Sequence, residues 1–453
     1  MKFELWEAKK LIRLATPVLL AQVTLVMMSV VDTMMAGQVS PNDLAALSIA
    51  TGALNPLMFS LQAILLALTS MVAHSVGAKD QDSIKRYFQQ GLYLAVMLSS
   101  LGFIASFFTP YLFASTGASP EIAQMAQDYI DYVKYGLVAF LIFSVYRNVT
   151  EGMGNTKVAF YIGLLGLGIN VIANYIFIYG KLGMPALGGA GCGVATSIVI
   201  WTMAIAQFCY SLKSKELKGK WLLSNFMKPH KETILQITKL GLPISFATFF
   251  EVTLFACIPL FIADLGAVAV SGHQVAASVT MILFMLPLSL SMAIGIRIGN
   301  ISGQNNIERL VNATYTSFIL AVGVAAIVAL GTYLVRYDIS WLYTQEKEVA
   351  MLASSIIILA CVYQLPDALQ VAANGVLRGL RYTKPITGVT FISYWVIGFT
   401  LGYVLAKTDL IVPAMGPTGF WVGIIVGLTV AAVLLIYFVR RKLVEMQTAI
   451  HST

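Results

Sequence analysis

The sequence predicts an all-α polytopic membrane protein: twelve transmembrane helices in two six-helix lobes related by a pseudo-two-fold axis along the membrane normal. Three observations carry this. The chain is too apolar for a soluble surface, its apolar runs are of bilayer length, and its second half repeats the first at a nearly constant offset.

Of 453 residues, 58% are hydrophobic and only 11% are charged, with a mean hydropathy of +0.81. A soluble domain carries about 25% charged residues. The net charge of +8 and pI near 9.1 would suggest nucleic-acid binding on a soluble chain. Here the positive residues sit in short gaps between apolar runs, so topology accounts for them and no nucleic-acid partner is expected. Cys192, Cys209, Cys257 and Cys361 lie in or beside apolar runs without CxxC or Cys/His spacing. They read as buried free thiols, not a disulfide or zinc framework. The basic N-terminus begins like a signal peptide, but the apolar run continues to Met35 with no A-x-A site, so it reads as an uncleaved first span.

A span needs about 20 apolar residues. Candidates run near 12–35, 44–72, 90–114, 122–147, 157–180, 190–211, 236–263, 270–296, 312–335, 350–375, 386–406 and 418–439. No ten-residue alternation recurs, so helices, not a barrel, satisfy the backbone in lipid. With this map 24 of the 29 Lys and Arg fall on the side of both termini. They run from Lys2, Lys9, Lys10 and Arg13 through the lysine-rich stretch Lys213 to Lys231 to Arg440, Arg441 and Lys442. The other side has Lys181, Arg336, Lys347 and Lys407, and Lys134 falls inside the fourth span. That bias places both termini in the cytoplasm.

The repeat pairs Pro17 with Pro243 and Gly77 with Gly303 at an offset of 226, and the turn Glu151–Lys157 with Arg378–Lys384 at 227. Pro185, Gly188 and Gly191 pair with Pro413, Gly416 and Gly419 at 228. Six spans is an even number, so the copies share one orientation, as in transporters built from parallel repeats. The expected division is an amino-terminal lobe 1–212, a cytoplasmic linker 213–232 and a carboxy-terminal lobe 233–453.

Three acids stand deep in apolar runs: Asp32 in VMMSVVDTMMAG, Glu251 in ATFFEVTLF and Asp367 in CVYQLPDALQV. An acid at the centre of a membrane helix costs roughly 2.5–3.5 kcal/mol, so it points to a cation or a proton. The plainer alternative is that these acids only tie helices together. Partners are scarce, however, since Lys134 is the one base well inside a span and it lies one turn from Asp131. Asn170 and Asn174 are one turn apart, Tyr363 is one turn before Asp367, and Gln274 follows His273. Each could complete an oxygen-rich shell for a small hard cation, or simply join helices. The GMPALGGAGCG stretch from Gly183 to Gly193 follows no strand and reads as a tight loop, not a nucleotide site. No Walker A, HExxH or GxSxG sequence occurs, so no enzyme activity and no cofactor are expected, and the energy source would be an ion gradient.

The chain resembles the multidrug and toxic compound extrusion family, MATE, and within it the NorM-type branch. The residues that carry the resemblance are LATPVLLAQ…VDTMMAG, LPISFATFFEVTLF, GHQVA, YQLPDALQVAANGVLRG and the mirrored GMGNTK and GLRYTK turns, spread over almost the whole length. The resemblance implies a secondary active exporter, a monomer in the bacterial inner membrane, that antiports small cationic amphipathic drugs or dyes against Na+ or H+. By the same resemblance Asp32 matches the amino-lobe carboxylate, and Glu251, Asp367 and Tyr363 match a carboxy-lobe cation site that could take Na+. Gln274 matches a polar residue of the drug cavity. Asn174 stands where other branches have a second carboxylate, which puts an amino-lobe Na+ site in doubt and leaves room for a proton at Asp32. The expected mechanism is rocker-like alternating access of the two lobes. Two rivals remain: a flippase for lipid-linked precursors, which would need arginines to hold pyrophosphate, and a membrane protein with no transport cycle.

Overall fold

The computed structural model describes residues 2–114, 119–214, 217 and 219–451. Its twelve helices long and apolar enough to cross a membrane are α1 (Leu5–Gly37), α2 (Pro41–Gly77), α3 (Gln81–Ser106), α4 (Pro120–Gly152), α5 (Lys157–Tyr179), α6 (Gly188–Lys213), α7 (Lys231–Leu265), α8 (Ala267–Gly303), α9 (Ile307–Tyr343), α10 (Lys347–Gly379), α11 (Lys384–Lys407) and α12 (Pro417–Ala449). Lys215 and Lys218, two of the basic residues counted above, lie outside the described residues.

Most of the helices outrun the apolar runs, because capped polar turns extend them beyond the hydrocarbon-like stretch. The third span needs correction. It does not run 90–114: α3 starts at Gln81, where Asp80 caps it by accepting from the Ser83 amide at 3.0 Å. It stops at Ser106, and Thr109–Ala114 forms a separate short helix with Pro110 in its first turn. Asn306 repeats the cap for α9, accepting from the Arg309 amide at 3.0 Å. The mirrored turns repeat a left-handed residue, Gly154 at φ 90° in the first copy and Arg381 at φ 57° in the second. Two spans are irregular. In α4 a 3-10 turn covers Lys134–Gly136, and in α11 a π-helical stretch covers Phe391–Phe399.

The chain divides into two compact units, one of Met1–Ala15 with Phe246–Thr453 and the other of Thr16–Ser245. These limits differ from the division at 213–232, because packing, not loop length, decides membership. Leu11 is buried in the same core cluster as Ala293, Ile298 and Ala372, and Glu7 is bound by Arg297. Conversely, the Ser245 hydroxyl donates to the Ser60 carbonyl at 2.7 Å. Gly241 lies so close to the Ile64 carbonyl that a Cβ would overlap it.

In the unit of Met1–Ala15 with Phe246–Thr453, α10 is the central helix. Its Gly375 and Gly379 meet Ser291 and Ile298 of α8, contacts any larger residue would push apart. In the unit of Thr16–Ser245, one cluster joins Leu65, Leu68, Phe88 and Leu141 and another joins Ala36, Leu47, Ile130 and Cys192. The cysteines among the described residues are free. The expectation that all four are buried holds for Cys192 and Cys361; Cys257 is half-buried and Cys209 is exposed. Apolar context in a membrane helix does not separate a packed face from a lipid-facing one.

Candidate ion and substrate site

In the unit of Thr16–Ser245, α1 presents Asp32 to α5. Asn170 and Asn174, one turn apart, both donate from Nδ2 to Asp32 Oδ1, at 2.9 and 2.6 Å. Both asparagine Oδ1 atoms are buried without a partner among the described residues. The Cys192 thiol contacts the Asp32 carbonyl at 3.7 Å. An acid with two neutral donors and two idle carbonyl oxygens beside it can hold a proton. By turning the amides, it can also offer oxygens to a small cation.

In the other unit, Glu251 of α7, Tyr363 and Asp367 of α10 and Tyr394 of α11 lie within electrostatic reach of one another. Asp367 is 2% exposed, and its Oδ1 finds no partner among the described residues. Glu251 is half-buried. Tyr394 belongs to the π-helical stretch of α11, a distortion often found at functional sites. Tyr363, Gln364 and Asp367 also line a cleft walled by Phe284 and Pro287 of α8 and Val328 of α9, so the acid borders an apolar recess. The Tyr363 ring meets Trp421 edge-on at 6.1 Å, and Trp421 Nε1 donates to His273 Nδ1 at 3.2 Å. His273 is thus a buried hydrogen-bonded histidine.

Gln274 is exposed on α8, while its neighbour His273 faces inward. No interaction among the described residues ties Gln274 to Glu251 or Asp367.

The other buried acids behave differently. Glu7 is fully buried and accepts a two-point contact from Arg297 at 2.7 and 2.6 Å, with Arg309 adding a third at 3.2 Å. Glu151 is held by Arg147 at 2.7 Å. Lys134 is spent on Asp131 at 2.6 Å. Among the described residues, no Lys, Arg or His pairs with Asp32, Glu251 or Asp367. Sequence reading missed Glu7, because it sits among the polar residues before the first apolar run. It also missed Tyr394, which nothing distinguishes from other aromatics in its span.

The repeat does not relate the two sites. The offset of 226 carries Asp32 to Ile258 and Glu251 back to Leu25, and the offset of 227 carries Asp367 back to Phe140. The two sites therefore occupy positions that the repeat does not pair.

The family model described as MatE matches the chain twice, over residues 17–176 and 243–404. The two matches begin 226 residues apart (243 − 17), the offset of the repeat. The chain belongs to the MATE family. Among similar proteins, a probable multidrug resistance protein NorM from Shewanella oneidensis is 43% identical over 98% of this chain and 96% of that protein. The multidrug resistance protein MdtK of Yersinia pseudotuberculosis is 42% identical over 96% of this chain and 95% of that protein. The eukaryotic MATE transporter AtDTX14 shares the fold, with a TM-score of 0.87 at 20% identity over 98% of this chain and 99% of that one. An outward-facing MATE transporter of the MOP superfamily gives a TM-score of 0.86 at 21% identity, over 98% and 97% of the two chains. As a MATE protein, the chain is a multi-pass membrane transporter of the multidrug efflux type and not an enzyme.

Proposed function

We propose that this MATE protein is a secondary active exporter that antiports cationic amphipathic drugs or dyes out of the cell against H+ or Na+, by alternating access. It works in a bacterial inner membrane with both termini in the cytoplasm. The observation that carries the reading is the contrast between two kinds of buried acid. Glu7 and Glu151 are neutralised by arginine, whereas among the described residues Asp32, Glu251 and Asp367 have no fixed cation beside them. A carboxylate without a fixed counter-ion is open to a mobile one, and a cationic drug and a driving ion then compete for the same charge. Each ion entering down 100 mV contributes about 2.3 kcal/mol, enough for a roughly fifty-fold gradient of a neutral substrate.

Asp32 with Asn170 and Asn174 forms one station, and Glu251 with Asp367 and Tyr363 forms the other. The test is neutralisation. Asp32→Asn, Glu251→Gln and Asp367→Asn should each impair dye export from cells while the protein remains folded in the membrane. If all three variants export like the parent, the carboxylates are not the coupling groups.

A further inference from the structure

Helix α10 carries more polar side chains than a central membrane helix needs, and they form one row. Tyr363, Asp367, Gln370, Asn374 and Arg378 follow at spacings of four, three, four and four residues, which puts them on one face. Among the described residues, Asp367 Oδ1, Gln370 Oε1, Asn374 Oδ1 and Arg378 Nε are buried without a partner, as is Gln364 Nε2 beside the row. Buried polar groups are ordinarily satisfied, so four orphans in register along one face call for a common partner. The neighbouring face does not supply it. There Gly375 and Gly379 pack directly on α8, and among the described residues the row's side-chain hydrogen bond to that helix is Arg378 Nη2 donating to Ser291 Oγ at 2.7 Å.

Water fits this row better than an ion does. Successive rungs lie about 5–6 Å apart, a gap that one water closes with a hydrogen bond to each side. A hard cation would want about six oxygens around one point, and the row offers one polar atom per turn with a guanidinium at its end. The eleven residue-to-residue steps from Asp367 to Arg378 span about 16 Å of helix. With twelve spans, the Gly379 end of α10 lies on the side that carries both chain termini.

We propose that this face of α10 holds a file of water through which Asp367 exchanges its proton with that side. Entry is a relay: a proton joins the outermost water, each water passes one on by exchanging an O–H bond for a hydrogen bond, and the Asp367 carboxylate becomes a carboxyl. Release runs the same steps backwards. Arg378, held by Ser291, donates from Nε to the outermost water, and Asn374 and Gln370 accept from the waters that follow, so the file is oriented. Among the described residues, the titratable groups in electrostatic interaction with Asp367 are Glu251, Tyr363 and Tyr394, and Arg378 stands at the far end of the row.

The proposal rests on the reading of Asp367 as a coupling acid, and the test separates the two. Cysteines placed singly at Gln370, Asn374, Val376 and Leu377 in the full-length protein in vesicles are exposed to a small, charged, membrane-impermeant thiol reagent. Labelling is read position by position by mass spectrometry. Gln370→Cys and Asn374→Cys should react from the terminus-bearing side at least ten-fold faster than Val376→Cys and Leu377→Cys, whose native side chains are fully buried off the row. Equal labelling at all four positions, or none at 370 and 374, overturns the file whatever Asp367 does.

Transport then tests the relay. Gln370→Leu and Asn374→Leu should slow pH-gradient-driven ethidium efflux at least ten-fold without changing equilibrium dye binding, and Gln370→Ser and Asn374→Ser should stay within about two-fold of the parent. Leucine variants that bind dye and export at the parental rate, or a parent that no pH gradient drives, overturn the relay. Failure of Asp367→Asn to alter export would instead remove the coupling reading and leave the labelling result to judge the file.

Discussion

At Asp32 the local chemistry is a carboxylate with two amide donors and, among the described residues, no cation, and at Glu7 it is a carboxylate enclosed by two guanidinium groups. On the proposed reading the first arrangement leaves a charge for a visitor, while the second uses it up in structure. Removing one member of a buried ion pair costs about 3–5 kcal/mol. Glu7→Ala, which strands Arg297 and Arg309, should therefore lower the melting temperature in detergent sharply, whereas Asp32→Asn should leave it near the parental value. A thermal-shift measurement on the two variants, with dye export read beside it, checks both. Asn170→Ala and Asn174→Ala should weaken ion-driven export without unfolding the protein, since each removes one donor to Asp32 and one idle oxygen. Parental export by both would detach the α5 amides from function. The three acids were legible in the sequence because an acid in an apolar run has no other ready explanation. Their different company was not legible, since the Asn170 and Asn174 contacts join residues 138 and 142 positions from Asp32.

At the scale of the helix, ends are set by caps that hydropathy does not register. Asp80 and Asn306, 226 residues apart, cap α3 and α9 in the same way. Replacing either by Ala should cost about 1 kcal/mol, seen as earlier unfolding by circular dichroism. The Asp80 cap is also pH-sensitive. Hydrogen bonds from the Ser83 side chain and backbone hold its carboxyl below the ordinary carboxylate value. A folded-state value lower than the unfolded one gives stability that is full above the ordinary carboxylate range and is lost as pH falls through the depressed value. Asp80→Asn, which caps without titrating, should thus be less stable than the parent at neutral pH and match it in strong acid. A constant difference across pH would show that the charge of Asp80 contributes nothing. The 90–114 span was misplaced for the same reason, as polar residues from Gln81 to Gln90 continue a capped helix beyond its apolar part. The row on α10 was readable in principle from its three- and four-residue spacing. Only the packing of Gly375 and Gly379 on α8 tells which face is closed and which is left polar.

For the whole molecule, the class, the twelve spans and the duplication follow from the sequence alone, because bilayer thickness and backbone hydrogen bonding leave few choices. The limits of the compact units do not, since Leu11 and Ser245 find their neighbours across hundreds of residues and no loop announces it. Under the proposed function, a proton or Na+ is exchanged at this scale for a cationic drug at acids that have no fixed counter-charge among the described residues. The most direct test is ethidium efflux in everted vesicles, with Na+ and pH gradients imposed separately, on the parent and on Asp32→Asn, Glu251→Gln and Asp367→Asn. The parent should export in response to at least one gradient, and each neutralised variant should lose most of that response. Efflux indifferent to both gradients, or unchanged in all three variants, would contradict the account.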